Sequence, residues 1–224
     1  MIPALWLALT LAGSAPEPAA SAASNVQAAP LGMRTTPVSR VFAHWPDYVE
    51  IDEADRARFT LRYRVSGPDG WSLWLEQADG RLERIGGWPD RYVTPPALDH
   101  FERDANLHVD APSGAMGVSL EFAPSTPLDR QIEAAALTEA LAQANAAMRA
   151  VAGAAALFAP RMDTVVFVFE DVAPDAWAVQ ETGERIALPA EERLVRFPAR
   201  ERRFRRTERL EFGVAPSDAL LTPR

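Results

Sequence analysis

Residues 164–169 read Thr164-Val165-Val166-Phe167-Val168-Phe169. Consecutive β-branched and aromatic side chains leave no polar face, so the run suits a strand covered on both sides and placed centrally in a sheet. Upstream, Thr126-Pro127-Leu128-Asp129 has the form of a helix start. Thr126 can cap, Pro127 takes the first helical position with its fixed φ, and Asp129 sits near the positive dipole end. Leu128, Ile132, Leu141, Met148, Val151 and Ala155 recur at helical spacing with alanines between them. This predicts one long Ala-rich helix running to about Leu157 and lying close against a sheet, with Gly153 loosening its end and Pro160 closing the segment.

Outward from this helix-strand pair the chain reads as hairpins. Phe59, Leu61, Tyr63 and Val65 alternate with Thr60, Arg62 and Arg64, the period of a strand with one wet face. Turn clusters at Ser66-Gly67-Pro68-Asp69-Gly70 and Ala78-Asp79-Gly80 then separate strands at Trp71–Gln77 and Arg81–Ile85, which predicts a meander. A similar pair is expected at Asn106–Asp110 and Met116–Phe122, and further strands at Trp177–Gln180, Arg185–Leu188, Leu194–Phe197 and Leu210–Val214. The predicted fold class is α+β, an antiparallel β-sheet of hairpins packed against one long Ala-rich helix.

The chain has 224 residues, enough to bury a real core, with 23 basic and 31 acidic side chains and a formal charge of −8. All the cations are arginines, and there is no cysteine. Disulfides, cysteine-ligated zinc, iron-sulfur centres, thiol nucleophiles and cysteine-linked lipid are thereby excluded.

Ile2–Ala12 is apolar but too short to span a bilayer, and Ala20-Ser21-Ala22 offers a cleavage pattern. The expected organisation is a signal peptide at 1–22, a flexible Pro/Ala/Ser-rich leader at 23–37, and a single α+β domain at 38–224. Leu11-Ala12-Gly13-Ser14 resembles a lipoprotein processing box with Ser14 in place of the lipid-bearing cysteine. A soluble periplasmic protein without a membrane anchor is therefore expected.

Three stretches carry a family resemblance: Leu73-Trp74-Leu75-Glu76; Tyr92-Val93-Thr94-Pro95-Pro96 leading to Asp104-Ala105-Asn106; and Ala152-Gly153 to Phe158-Ala159-Pro160-Arg161. On these, Val41–Glu170 resembles a proteobacterial family of exported proteins, domain of unknown function 2987. The resemblance implies an envelope location and no assigned activity. The tripeptides Trp45-Pro46-Asp47 and Trp88-Pro89-Asp90 resemble the acid loop of tyrosine phosphatases, but that chemistry needs a thiolate, which this chain lacks.

Eight arginines and two acids lie between Arg193 and Arg209, a local charge of +6 that leaves −14 for the rest. Guanidinium forks match phosphate and carboxylate, so Arg200, Arg202, Arg203, Arg205 and Arg206 are candidate ligand contacts. The competing reading is the solvated face of edge strands paired with the chain's own acids. Trp71, Trp74 and Trp88 are candidate aromatic contacts, Trp74 because it alternates out of phase with Leu73 and Leu75. His100 and His108, with Asp99, Glu102, Asp104 and Asp110, supply metal-ligating residue types at no helical ligand spacing.

The expectation is a non-enzymatic periplasmic envelope protein acting through protein or envelope-component contacts. No catalytic residue, metal, cofactor or nucleic-acid partner is expected. Two alternatives stand beside it. One is a binding module for an anionic glycan or glycolipid; the other is a metal-assisted hydrolase centred on His100 and His108.

Overall fold

The computed structural model describes residues 33–111, 116–152 and 160–223. The expected signal peptide, the first part of the leader and the end of the long helix lie outside the described residues. In chain order the first half forms β1 (Arg34–Pro37), α1 (Val38–Val41), α2 (Trp45–Glu50), α3 (Glu53–Arg56), β2 (Phe59–Ser66), β3 (Ser72–Glu76), β4 (Leu82–Gly87), β5 (Tyr92–Val93), α4 (Asp99–Glu102), β6 (Asn106–Asp110) and β7 (Gly117–Pro124). The second half forms β8 (Gln131–Glu133), α5 (Ala134–Ala152), β9 (Met162–Val168), β10 (Ala176–Gln180), β11 (Arg185–Ala187), β12 (Ala190–Glu191), β13 (Leu194–Phe197), β14 (Thr207–Phe212) and β15 (Asp218–Pro223), with a 3-10 turn at Arg202–Phe204. The fold is α+β, with antiparallel sheets and one long helix packed on them.

A single domain from Val38 was expected; the described residues form two compact units, one comprising those up to Pro46 and within 62–120, the other those within 47–61 and from Glu121 onward. The expected leader also ends early, because Arg34–Pro37 is already a strand paired with β6. Strand pairing draws on backbone groups, and buried Thr36 supplies the inward contact without a large apolar side chain.

In the first unit β1, β6, β3 and β4 form an antiparallel sheet in that order. Leu73, Leu75, Leu107 and Val109 fill its buried face. The opposite face carries the row Thr35, His108, Trp74 and Arg84, which are cross-strand neighbours. β2 does not pair with β3 as the meander predicted. Its Tyr63 instead lies opposite Val93 of β5. That ring meets Phe42 edge-on at 5.1 Å and donates its hydroxyl to the Ala43 carbonyl. Nor do β6 and β7 form a hairpin: β6 pairs with β1 and β3, and β7 places Phe122 opposite Leu221 of β15. Alternation says which side of a strand is wet, but the choice of partner is a long-range matter.

In the second unit β11, β10, β14 and β8 form one sheet. The run read as a central strand is β9, flanked by β13 and β15 with Val165, Val166 and Phe167 essentially inaccessible. α5 packs against both β9 and β14. Its buried residues Ala134, Leu137, Ala140, Leu141, Ala144, Asn145 and Ala147 follow the three-and-four spacing of one helix face. The helix starts at Ala134 rather than beside Thr126, because Gln131–Glu133 is taken up as β8 opposite Arg209–Glu211 of β14. Among the described residues no helix is long and apolar enough to cross a membrane.

Candidate ligand surfaces

The arginine segment is shaped by one apolar anchor. Phe204 is 2% exposed and packs edge-on against Phe197 at 6.0 Å, so the 3-10 turn around it carries Arg202, Arg203, Arg205 and Arg206 on the surface. The flanking arginines are occupied. Arg196 meets Glu191 at 3.6 Å, Arg209 meets Glu211 at 3.0 Å, and Arg193 donates to the Glu170 carbonyl at 3.2 Å. Arg203 pairs with Glu201 at 3.0 Å and lies over the Phe204 ring. Arg200, Arg202, Arg205 and Arg206 form no ion pair with a carboxylate among the described residues, although Arg205 Nε donates to the Arg200 carbonyl at 3.5 Å. Partial burial, then the nearby guanidiniums of Arg161 and Arg205, hold Arg200 below the usual arginine value, with Asp163 acting in the opposite sense. Like charges therefore crowd at this turn. Of the five arginines singled out in the sequence, four form no ion pair among the described residues.

The tryptophans divide differently. Trp71 is 3% exposed and belongs to the core, which removes it from the candidate contacts. Its rim meets Gly86 closely, at a point where an added methyl would lie 3.5 Å from the indole. Trp74 is half-buried beside His108 and faces away from Leu73 and Leu75, as its phase implied. Trp88 is 41% exposed.

His100 and His108 do not converge on a metal. His108 lies on β6, where Nε2 is 3.2 Å from Glu76 Oε2 and Nδ1 is 3.3 Å from the Thr35 hydroxyl. Asn106 donates to the same Glu76 oxygen at 3.1 Å. The hydrogen bond with His108, then that from Asn106, holds the Glu76 carboxyl below its ordinary range. His100 lies on α4 against the Arg103 guanidinium, 3.8 Å from Asp99. Among the described residues no three His, Asp or Glu side chains are grouped to hold a metal ion. The polar row Thr35-His108-Glu76-Asn106 couples three neighbouring strands.

One surface had no signal in the sequence. A cleft of about 320 Å³ opens over β10 and β14, lined by Trp177, Arg185, Glu211, Arg130, Gln131 and Asp175 together with Phe212 and Gly213. Trp177 and Glu211 are cross-strand neighbours, and Arg185 bridges them: its guanidinium lies 5.0 Å from the indole centroid and 3.0 Å from Glu211 Oε2. These residues come from four separated stretches of chain. No periodicity or spacing links them.

Comparison with protein-family models, curated proteins and solved structures finds no match to this chain.

Proposed function

We propose that this protein is a periplasmic, non-enzymatic binding module whose arginine turn receives the phosphate or carboxylate groups of an anionic envelope glycolipid. The observation that carries the reading is the contrast within one run of arginines. Arg196, Arg203 and Arg209 pair with the chain's own carboxylates, while Arg200, Arg202, Arg205 and Arg206 are exposed and form no ion pair among the described residues.

The net charge of −8 does not oppose this. With a Debye length of about 8 Å at physiological ionic strength, an anion at the turn responds mainly to the local guanidiniums. Each planar fork can grip a phosphate in two-point fashion, which a lysine could not match. The resemblance to an exported envelope family belongs to the same reading, as does export itself.

The test is co-sedimentation with vesicles carrying a phosphorylated glycolipid, against vesicles of neutral lipid alone. Wild type is expected to sediment with the charged vesicles only. The combined variant Arg200→Ala, Arg202→Ala, Arg205→Ala, Arg206→Ala should lose this by tenfold or more while keeping its far-UV spectrum. Equal sedimentation of the two proteins would overturn the reading.

A further inference from the structure

The cleft over Trp177 combines a small volume with an unusual charge arrangement. At about 320 Å³ it lies at the lower end of the roughly 300–1,000 Å³ range of small-molecule sites, so it suits a compact ligand. Most of its charge is already committed. Glu211 receives Arg185 on one oxygen at 3.0 Å and Arg209 on the other at 3.0 Å, which leaves it fixed and neutralised. Arg185 is committed further by its stacking on Trp177.

Two charges remain at the rim. Arg130 and Asp175 both line the cleft, and neither side chain has an ion-pair partner among the described residues. The Gln131 amide beside them is also without a side-chain hydrogen bond there. One unpaired cation and one unpaired anion therefore line the same small space, next to an indole.

We propose that this cleft binds a free α-amino acid as its zwitterion. The ligand carboxylate meets the Arg130 fork, the ammonium meets Asp175, and the side chain lies along Trp177. A simple anion would bring its charge up to Asp175, and a simple cation would meet Arg130. Only a ligand carrying both charges satisfies both groups. The site is separate from the arginine turn, and neither reading depends on the other.

The experiment uses the whole chain and isothermal titration with glycine, leucine and phenylalanine, together with leucinamide and N-acetylleucine. The Trp177 indole N–H resonance, assigned with Trp177→Phe, is followed in parallel. At least one of the three amino acids should bind saturably and move that resonance. Leucinamide lacks the carboxylate and N-acetylleucine lacks the ammonium, so where leucine binds, each should bind at least tenfold more weakly, the size of one lost charge-assisted hydrogen bond. Arg130→Ala and Asp175→Asn should each weaken amino-acid binding by a similar factor. Both positions are exposed, so unchanged far-UV spectra are expected and exclude unfolding as the cause. Failure of all three amino acids to bind would overturn the proposal. So would Asp175→Asn leaving the affinity intact, or N-acetylleucine binding as tightly as leucine, because the site would then read the anion alone.

Discussion

Asn145→Ala probes how the long helix is fastened to the sheet. Asn145 is 3% exposed in the middle of α5, where a polar side chain is costly unless satisfied. Its amide donates to the Met162 carbonyl at 2.8 Å and accepts from the Met162 N–H at 2.9 Å, with a third bond to the Leu141 carbonyl at 2.6 Å. The Met162 carbonyl needs this donor, because the residue opposite it on β15 is Pro223, which has no N–H to offer. The side chain thus replaces a missing rung of the ladder at the start of β9. Truncation removes two tertiary bonds of about 1 kcal/mol each and leaves buried Met162 groups unpaired at a further ~1–3 kcal/mol. Alanine's better helix propensity returns only about 0.6 kcal/mol. The expected net loss is about 3 kcal/mol, or a fall in Tm of roughly 6–12 °C for a chain of this size. Urea unfolding followed by circular dichroism measures it, with the midpoint lowered and the slope unchanged. Asn145→Asp keeps the acceptor but sets a carboxylate against two carbonyls, so it should destabilise more at pH 7 than at pH 4. A loss below about 1 kcal/mol for Asn145→Ala would refute the role given to this residue.

Gly86→Ala should cost about 1–3 kcal/mol by overpacking, because the new methyl would lie 2.8 Å from Val93 Cγ2; pairing it with Val93→Ala should recover part of the loss in the same unfolding assay. Phe204→Ala should cost about 3–5 kcal/mol and weaken glycolipid binding with it, whereas Phe204→Leu, which keeps the anchor apolar, should spare most of both. For Glu76, the folded value lies below the unfolded one near 4.5, so its pairing with His108 and Asn106 stabilises the fold above that pH. The stabilisation is lost as pH falls through the lower, folded value. Wild type should therefore lose stability on acidification more steeply than Glu76→Gln, as read from Tm between pH 6 and 3, and parallel curves would contradict the coupling.

Legibility in the sequence followed the range of the interactions involved. The alternation at Phe59–Val65 and the unbroken run at Val165–Phe169 report burial, a property of each strand by itself, and both elements stand where those patterns put them. The cap signal at Thr126-Pro127-Leu128-Asp129 was locally sound, yet pairing of Gln131–Glu133 with β14 overrode it. Turn clusters likewise marked where strands end without saying whom they join, as β2 and β5 show. In the arginine run, spacing alone could not separate Arg203, engaged by Glu201, from Arg202 beside it. The Trp177 cleft was illegible for the same reason: Arg130, Asp175, Arg185 and Glu211 become neighbours only through the registers of β10 with β11 and β14 and of β14 with β8.

The most direct measurement is arginine side-chain NMR during titration with micelles of a phosphorylated glycolipid. The Nε–Hε resonances of Arg200, Arg202, Arg205 and Arg206 should shift together and saturate, while those of Arg196 and Arg209, already paired with the chain's own carboxylates, stay in place. Shifts confined to other arginines, or no saturable shift at the turn, would contradict the assignment of Arg200–Arg206 as the anion-binding surface.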